Sequence, residues 1–149
     1  MSSVCTQQDQ VLLAVDGSCL GNPGADGYAA ILQWEGQEKV IVNGVSHTTN
    51  NRMELTAVLA GLQALKRPCQ ACPEQRRRVT VVTDSQYIAT VLNRGRARAN
   101  LDLVQQLRQL AGQHEITVQT VPGHSGHKMN ERCDQLAQAE ARRYQVQGR

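Results

Sequence analysis

Aromatic side chains are scarce in this sequence of 149 residues, which has no phenylalanine, one tryptophan and three tyrosines. We therefore expect a core of leucine, valine, isoleucine and alanine, with few residues available for stacking on nucleic-acid bases. No hydrophobic run approaches the length of a membrane span, so the sequence predicts no transmembrane helix. No basic segment followed by an apolar one opens the sequence, and we expect no secretory signal.

The cysteine count is a weak indication of the cellular compartment, and the net charge is a weak indication of the binding partner. The five cysteines are an odd number in a chain without a visible signal, which favours a reducing compartment and predicts a cytoplasmic protein. The net charge of +3 is too mild to indicate a nucleic-acid partner by itself. Arginine outnumbers lysine by 13 to three. Guanidinium groups suit phosphate recognition, although a biased genome composition produces the same excess.

The apolar pattern predicts one domain in which strands alternate with helices. Expected strands cover residues 11–18, 28–34, 39–45, 78–84 and 115–121, and expected helices cover 51 to Pro68, 87–92, 101–110 and 130–145. The first three strands are closely spaced, with turns at Gly21–Asp26 and at 35–37, and predict an antiparallel meander. The later strands alternate with helices, as parallel crossovers require. We expect an α/β fold over residues 1–149, with flexible tails at about 1–9 and 145–149.

Four carboxylates stand out in the sequence, and helix capping or solvent exposure can explain some of them but not all. Asp16 lies inside the first expected strand, where an ionised carboxylate is costly to bury without a partner. Glu54 follows Asn51 by three residues, as the acid of a capping box does. Asp84 can cap the helix that follows it. Asp134 can lie on a solvated helix face, so only Asp16 demands another explanation when each acid is considered alone.

The four acids form a more specific pattern when they are considered together. If the strands of Asp16 and Asp84 are neighbours, Glu54 and Asp134 can approach them from the helices. Carboxylates that converge in this way repel one another unless cations share them. All-oxygen ligands favour Mg²⁺ or Mn²⁺, and two such ions about 3.5–4 Å apart can clamp both oxygens of a phosphodiester displacement.

The residues around the acids carry a family resemblance. The segments DGSCLGNPG, TTNNRMEL, TDSQY and GHSGHKMNERCD occur in this order, and the chain closely resembles bacterial type 1 ribonuclease H from about Val11 to Ala139. The resemblance implies a five-stranded mixed sheet of three antiparallel strands followed by two parallel ones, flanked by helices. It also implies an endonuclease that hydrolyses the RNA strand of RNA–DNA hybrids with two Mg²⁺ ions, for which Mn²⁺ can substitute. The expected products carry 5′-phosphate and 3′-hydroxyl ends.

The resemblance also assigns catalytic roles. The matched metal ligands are Asp16, Glu54, Asp84 and Asp134, with Asp16 bridging both ions. His124 matches a mobile histidine that assists proton movement or product release, and the ordinary alternative is a solvated loop side chain.

Substrate contacts are assigned in the same way. The positions that match residues reading ribose hydroxyls in the minor groove are Cys19, Asn22, Asn50, Asn51 and Gln86. Thr49 and Arg52 resemble a pocket for a phosphate of the DNA strand. Turn chemistry ahead of a helix explains Thr49 equally well.

Two segments depart from the family pattern. Many bacterial members carry a lysine- and tryptophan-rich protrusion where this chain has LNRGRARANLDL, and Val104 stands where an aromatic residue is often found. We therefore expect weaker and more salt-sensitive hybrid binding. The connection at 66–78 is long and contains Cys69 and Cys72. That pair can be half of a zinc site or a redox pair, but a plain surface insertion is the favoured interpretation.

Two rival functions share the expected fold. Integrases, transposases and junction resolvases use the same sheet and acids, but they usually lack the TTNNRMEL and GHSGHKMNERCD segments and carry further DNA-binding regions. A non-catalytic hybrid-binding module is expected to have lost at least one acid, and this chain retains all four. The size of the chain predicts a monomer.

Overall fold

The computed structural model describes residues 10–20, 24–34, 36–65, 78–94, 100–122 and 127–147. Its elements in chain order are β1 (Gln10–Leu20), β2 (Gly24–Trp34), β3 (Gln37–Thr48), α1 (Asn50–Ala64), β4 (Arg78–Thr83), α2 (Gln86–Arg94), α3 (Leu101–Ala111), β5 (Glu115–Thr120) and α4 (Lys128–Gln147). The five strands form one sheet in the order β3-β2-β1-β4-β5. The pairs β1–β2 and β2–β3 are antiparallel, whereas β1–β4 and β4–β5 are parallel. The predicted α/β fold with a five-stranded mixed sheet is therefore confirmed.

Helices cover both faces of the sheet, and alternation along the strands divides the core between them. Val11, Leu13 and Val15 of β1 belong to the core on the side of α1, α2 and α3. Ala14, between them, belongs to a second core beneath α4, where Cys133 is fully buried. Both cores rest on aliphatic side chains, as the scarcity of aromatics predicts. The central strand β1 is therefore covered on both faces, which makes any charge within it expensive.

Gly27 allows α4 to pack closely against β2. A Cβ atom at this position would lie 2.4 Å from the carbonyl oxygen of Ala137 and 2.5 Å from the amide nitrogen of Ala141. Those separations are too short for any side chain, so the helix backbone rests directly on the strand because residue 27 is glycine. This close approach fixes the height of α4 above the sheet.

Several predicted element boundaries differ from the observed ones. β2 begins at Gly24, so Gly24–Asp26 is strand rather than turn, with a register shift against β3 between Gly24 and Asp26. The helix α1 ends at Ala64, with Leu65 as its C-cap, and Pro68 lies outside the described residues. The helix α4 extends the prediction at both ends and includes residues 145–147 of the expected tail. None of the helices in the described part of the chain is long and apolar enough to cross a membrane.

Candidate active site

The parallel pairing of β1 with β4 brings the first two acids together. Ala14 pairs with Val82, and the same register carried two residues further places Asp16 beside Asp84. Since side chains alternate, Asp16 shares the face of Ala14, which α4 covers. Asp84 follows the last residue of β4 directly. Asp16 is only 4% exposed, so the buried carboxylate expected in the first strand is present.

Glu54 reaches the same place from α1. A Cβ atom at Gly17 would lie 3.1 Å from the Glu54 Cγ and 3.2 Å from its amide nitrogen, so the glycine after Asp16 lets this turn of α1 approach the strand. Glu54 is 6% exposed. One carboxylate oxygen from each of Asp16, Glu54 and Asp84 lies within 4.8 Å of the other two. We call these three residues the carboxylate cluster.

Asp134 joins this group from α4. Its carboxylate is close enough to Asp16 to raise the pKa of that residue. On the other side, the Nε2 of Gln138 donates to the Oδ2 of Asp134 over 3.0 Å. The four acids predicted to converge are therefore brought together from two strands and from helices on opposite faces of the sheet.

Burial and like charge act together on the central acid. Burial and the neighbouring acids together raise the pKa of Asp16 to about 8. Burial contributes most, followed by the charge of Asp84, the interaction with Asp134 and the charge of Glu54. Burial also raises the pKa of the adjacent Cys133 thiol to about 12, so this cysteine is a neutral packing group. The site thus holds a carboxyl that is not fully ionised at neutral pH unless a positive charge offsets its neighbours.

The residues fit a divalent cation. The donor atoms are all oxygens, which are the ligands that Mg²⁺ and Mn²⁺ prefer. Asn130, one helical turn before Asp134, is 2% exposed, and its Oδ1 has no hydrogen-bond partner in the described part of the chain. A buried acceptor of this kind is usually satisfied by water or by the hydration shell of an ion.

The capping alternatives for two acids are wrong. The N-cap of α1 is Thr49, whose Oγ1 accepts from the amide of Arg52 over 3.5 Å, so Glu54 lies beyond the reach of a capping box. The helix α2 is capped by Ser85, whose Oγ accepts from the amide of Ile88 over 3.2 Å. Neither acid is therefore the N-cap of its helix, and both belong to the carboxylate cluster.

A second set of polar side chains surrounds Arg52. Of this set, the sequence analysis predicts a functional role for Arg52 alone. The guanidinium donates to both Asp102 oxygens over 3.2 and 3.0 Å and to the Asn100 Oδ1 over 3.2 Å. Asn100 in turn donates from Nδ2 to the Tyr87 hydroxyl over 3.2 Å. Asn100 occupies the N-cap of α3 with a φ of 58° but makes no capping bond with its side chain. Its carboxamide contacts Arg52 and Tyr87 instead, and no local pattern in the sequence predicts those contacts. We call Arg52, Asn100, Asp102 and Tyr87 the Arg52 network.

The structure describes the other predicted site residues only in part. Asn51 and Gln86 are exposed in the first turns of α1 and α2. For Cys19 and Asn50 the structure gives the backbone position, near the end of β1 and at the first residue of α1. The remaining predictions concern residues outside the described ranges: Asn22, His124, Cys69 and Cys72. Val104 is buried in the core on the side of α1, α2 and α3.

Comparison with known proteins identifies this arrangement. The ribonuclease H family model, described as RNase H, matches residues 8–142. A ribonuclease H of Citrobacter koseri is 46% identical over 146 residues, covering 89% of each chain. The N-terminal ribonuclease H domain of rv2228c from Mycobacterium tuberculosis, solved as a fusion protein, shares the fold with a TM-score of 0.77 at 24% identity, over 95% of this chain and 100% of that one. LC11-RNase H1, solved in complex with an RNA/DNA hybrid, has a TM-score of 0.72 at 19% identity, over 89% of this chain and 97% of that one.

These matches define a nuclease, an enzyme of the hydrolase class. The chain belongs to the ribonuclease H family.

Proposed function

We propose that this protein cleaves the RNA strand of RNA–DNA hybrids endonucleolytically, with two Mg²⁺ ions, leaving 5′-phosphate and 3′-hydroxyl ends. The observation that carries the proposal is the carboxylate cluster, in which one oxygen from each of three acids lies within 4.8 Å of the other two. Family membership supports the reaction, and the hybrid bound to LC11-RNase H1 supports the substrate. Cytoplasmic location and a monomeric state stay predictions.

The four acids would hold the cations: Asp16 would contribute to both sites, and Asp134 would help to hold the ion that supplies the activated water. Bound Mg²⁺ supplies an activated water and stabilises charge on the phosphate oxygens. The chain contributes rigidity, because Asp16 is fixed in a central strand and Glu54 is fixed by the close packing of α1 on Gly17. His124 would assist proton movement or product release.

Substrate contacts would follow from the helix ends beside the cluster. The first turns of α1 and α2 carry Asn50, Asn51 and Gln86, and β1 ends near Cys19, before Asn22. Amide groups on this edge of the sheet suit the ribose hydroxyls that distinguish RNA from DNA.

A DNA-strand phosphate would bind at Thr49 and Arg52. The N-terminus of α1 adds the partial positive charge that favours anions. Asn100, held against the Arg52 guanidinium, extends the set of polar groups at this position. Without a basic protrusion, binding would depend strongly on such contacts and would weaken steeply with salt.

Cleavage of a strand-labelled hybrid tests the proposal. We expect the RNA strand alone to be cut, only with Mg²⁺ or Mn²⁺, while single-stranded RNA, duplex RNA and duplex DNA stay intact and Asp16→Asn is inactive. Hybrid binding without cutting would instead identify a binding module. Cutting of duplex DNA would place the protein with the integrase-like nucleases.

A further inference from the structure

Three polar side chains lie on one stripe of α4. Asn130, Asp134 and Gln138 are spaced four residues apart, which places them one above another on the same helix face. Helical side chains lean toward the N-terminus, so Gln138 reaches back over Asp134, as its 3.0 Å hydrogen bond to the Asp134 Oδ2 shows. Gln138 is half-buried, unlike its exposed neighbour Gln135.

Two groups therefore hold the Asp134 carboxylate from different directions. Asp16 lies beside it across the interface between β1 and α4, and the Nε2 of Gln138 donates to its Oδ2 from within the helix. A carboxylate held in this way has little freedom to rotate. The orientation of its oxygens is fixed before any ligand arrives.

The charge of the group that binds Asp134 is also significant. A glutamine amide donates a hydrogen bond without bringing a positive charge. The nearest arginine in sequence, Arg132, is occupied elsewhere, since it donates to both oxygens of Glu38 over 2.8 and 2.7 Å. Arg143, in the same helix, is bound to Glu140 over 2.9 Å. Among the described residues, Asp134 is thus oriented by a neutral amide and not by an arginine, as a cation ligand requires.

We propose that Gln138 is a positioning residue that fixes the Asp134 carboxylate for a divalent cation. The inference rests on the proposed function, since it takes Asp134 to be a metal ligand. Removing a hydrogen-bond partner of a ligating carboxylate characteristically lowers metal affinity by about tenfold or more. The side chain touches neither substrate nor reacting atoms, so its effect should appear in the metal dependence and not in hybrid binding.

Gln138→Met and Gln138→Ala test this role, with Gln135→Met as the matched control on the exposed side of the same helix. Magnesium titration of the protein alone, followed by backbone amide shifts in NMR spectra, measures affinity without substrate. We expect the Mg²⁺ dissociation constant to rise about tenfold in both Gln138 variants. The Mg²⁺ concentration for half-maximal cleavage should rise equally, with the hybrid KM at saturating Mg²⁺ within about twofold of the parent.

The two proposals fail in distinguishable ways. Unchanged Mg²⁺ affinity in both Gln138 variants, with the parent binding Mg²⁺, would overturn the positioning role alone. A similar loss in Gln135→Met would also overturn it, because the effect would then belong to the helix as a whole. A parent that binds Mg²⁺ but does not cleave hybrids would overturn the proposed function and leave the Gln138 comparison valid. A parent that does not bind Mg²⁺ would overturn both.

Discussion

Two polar regions meet on the first turns of α1, and they handle charge in opposite ways. Glu54 belongs to the carboxylate cluster, which is mostly buried and contains acids alone. Arg52, two residues earlier, belongs to a network in which Asp102 balances the guanidinium charge and the pair is well exposed. The Arg52 network balances its charge among its own residues, whereas the cluster brings like charges together, which a bound cation would offset. We therefore expect changes in the cluster to affect both stability and catalysis, and changes in the network to affect binding alone.

The largest expected effect is that of Asp16→Asn. We expect cleavage to fall by about a thousandfold or more, because the central ligand of the cluster is lost. In metal-free buffer the same variant should be more stable than the parent by about 1–3 kcal/mol at pH 7, because an amide needs neither a proton taken up on folding nor a charge buried beside other acids. Denaturant unfolding in EDTA measures this difference. An equally stable or less stable variant would show that the cluster is not strained in the absence of a cation.

The pH dependence of stability follows from the same group. The pKa of Asp16 is about 8 in the folded protein and near the ordinary 3.8 in the unfolded chain. The contribution of Asp16 to the free energy of unfolding is thus fully present below pH 4 and is lost as the pH rises to 8, by at most about 1.4 kcal/mol per pH unit. Unfolding of the parent and of Asp16→Asn, compared in EDTA from pH 5 to pH 8, isolates this slope. Saturating Mg²⁺ should reduce it, since a cation favours the ionised carboxylate.

The cluster itself could be predicted because its signal is local. A single acid within the apolar run of β1 conflicts with the strand pattern, and two more acids stand at element boundaries that a mixed sheet brings together. The parallel register of β1 and β4 then follows from the order of the elements. The expectation of Mg²⁺ or Mn²⁺ rests on residue type alone, because every donor is an oxygen.

The helix caps and the Arg52 network could not be predicted in the same way. Thr49, Asn50 and Asn51 are consecutive residues with similar capping preference, and only the backbone dihedral angles decide between them. The partners of Arg52 are 48 and 50 residues away, in contacts that depend on how α3 packs against α1. The observed strands are longer than the sequence predicts, because backbone pairing continues through residues with low strand propensity, such as Asp26.

A smaller effect is expected from Arg52→Ala. The variant should raise the KM for the hybrid about tenfold, because a charged donor to phosphate is lost, and leave kcat within about twofold. Arg108→Ala is the control, since this exposed arginine of α3 makes no ion pair with a described residue. Steady-state kinetics at two salt concentrations separates the two variants. A fall in kcat with unchanged KM would mean that the network acts on the chemistry and not on binding.

The smallest expected effect is that of Asp102→Asn. This variant tests whether the ion pair of the Arg52 network contributes little to the stability of the fold. Asp102 is well exposed, and its pKa is lowered mainly because Arg52 donates to it. Exposed ion pairs contribute little and are screened by salt, so we expect the melting temperature to change by no more than about 2 °C. The KM should change less than about threefold, because the Asn100 contact still orients the guanidinium. A variant that melted many degrees lower would show that the pair stabilises the packing of α1 against α3. The two regions would then differ in the sign of their charges, and both would contribute substantially to the free energy of unfolding.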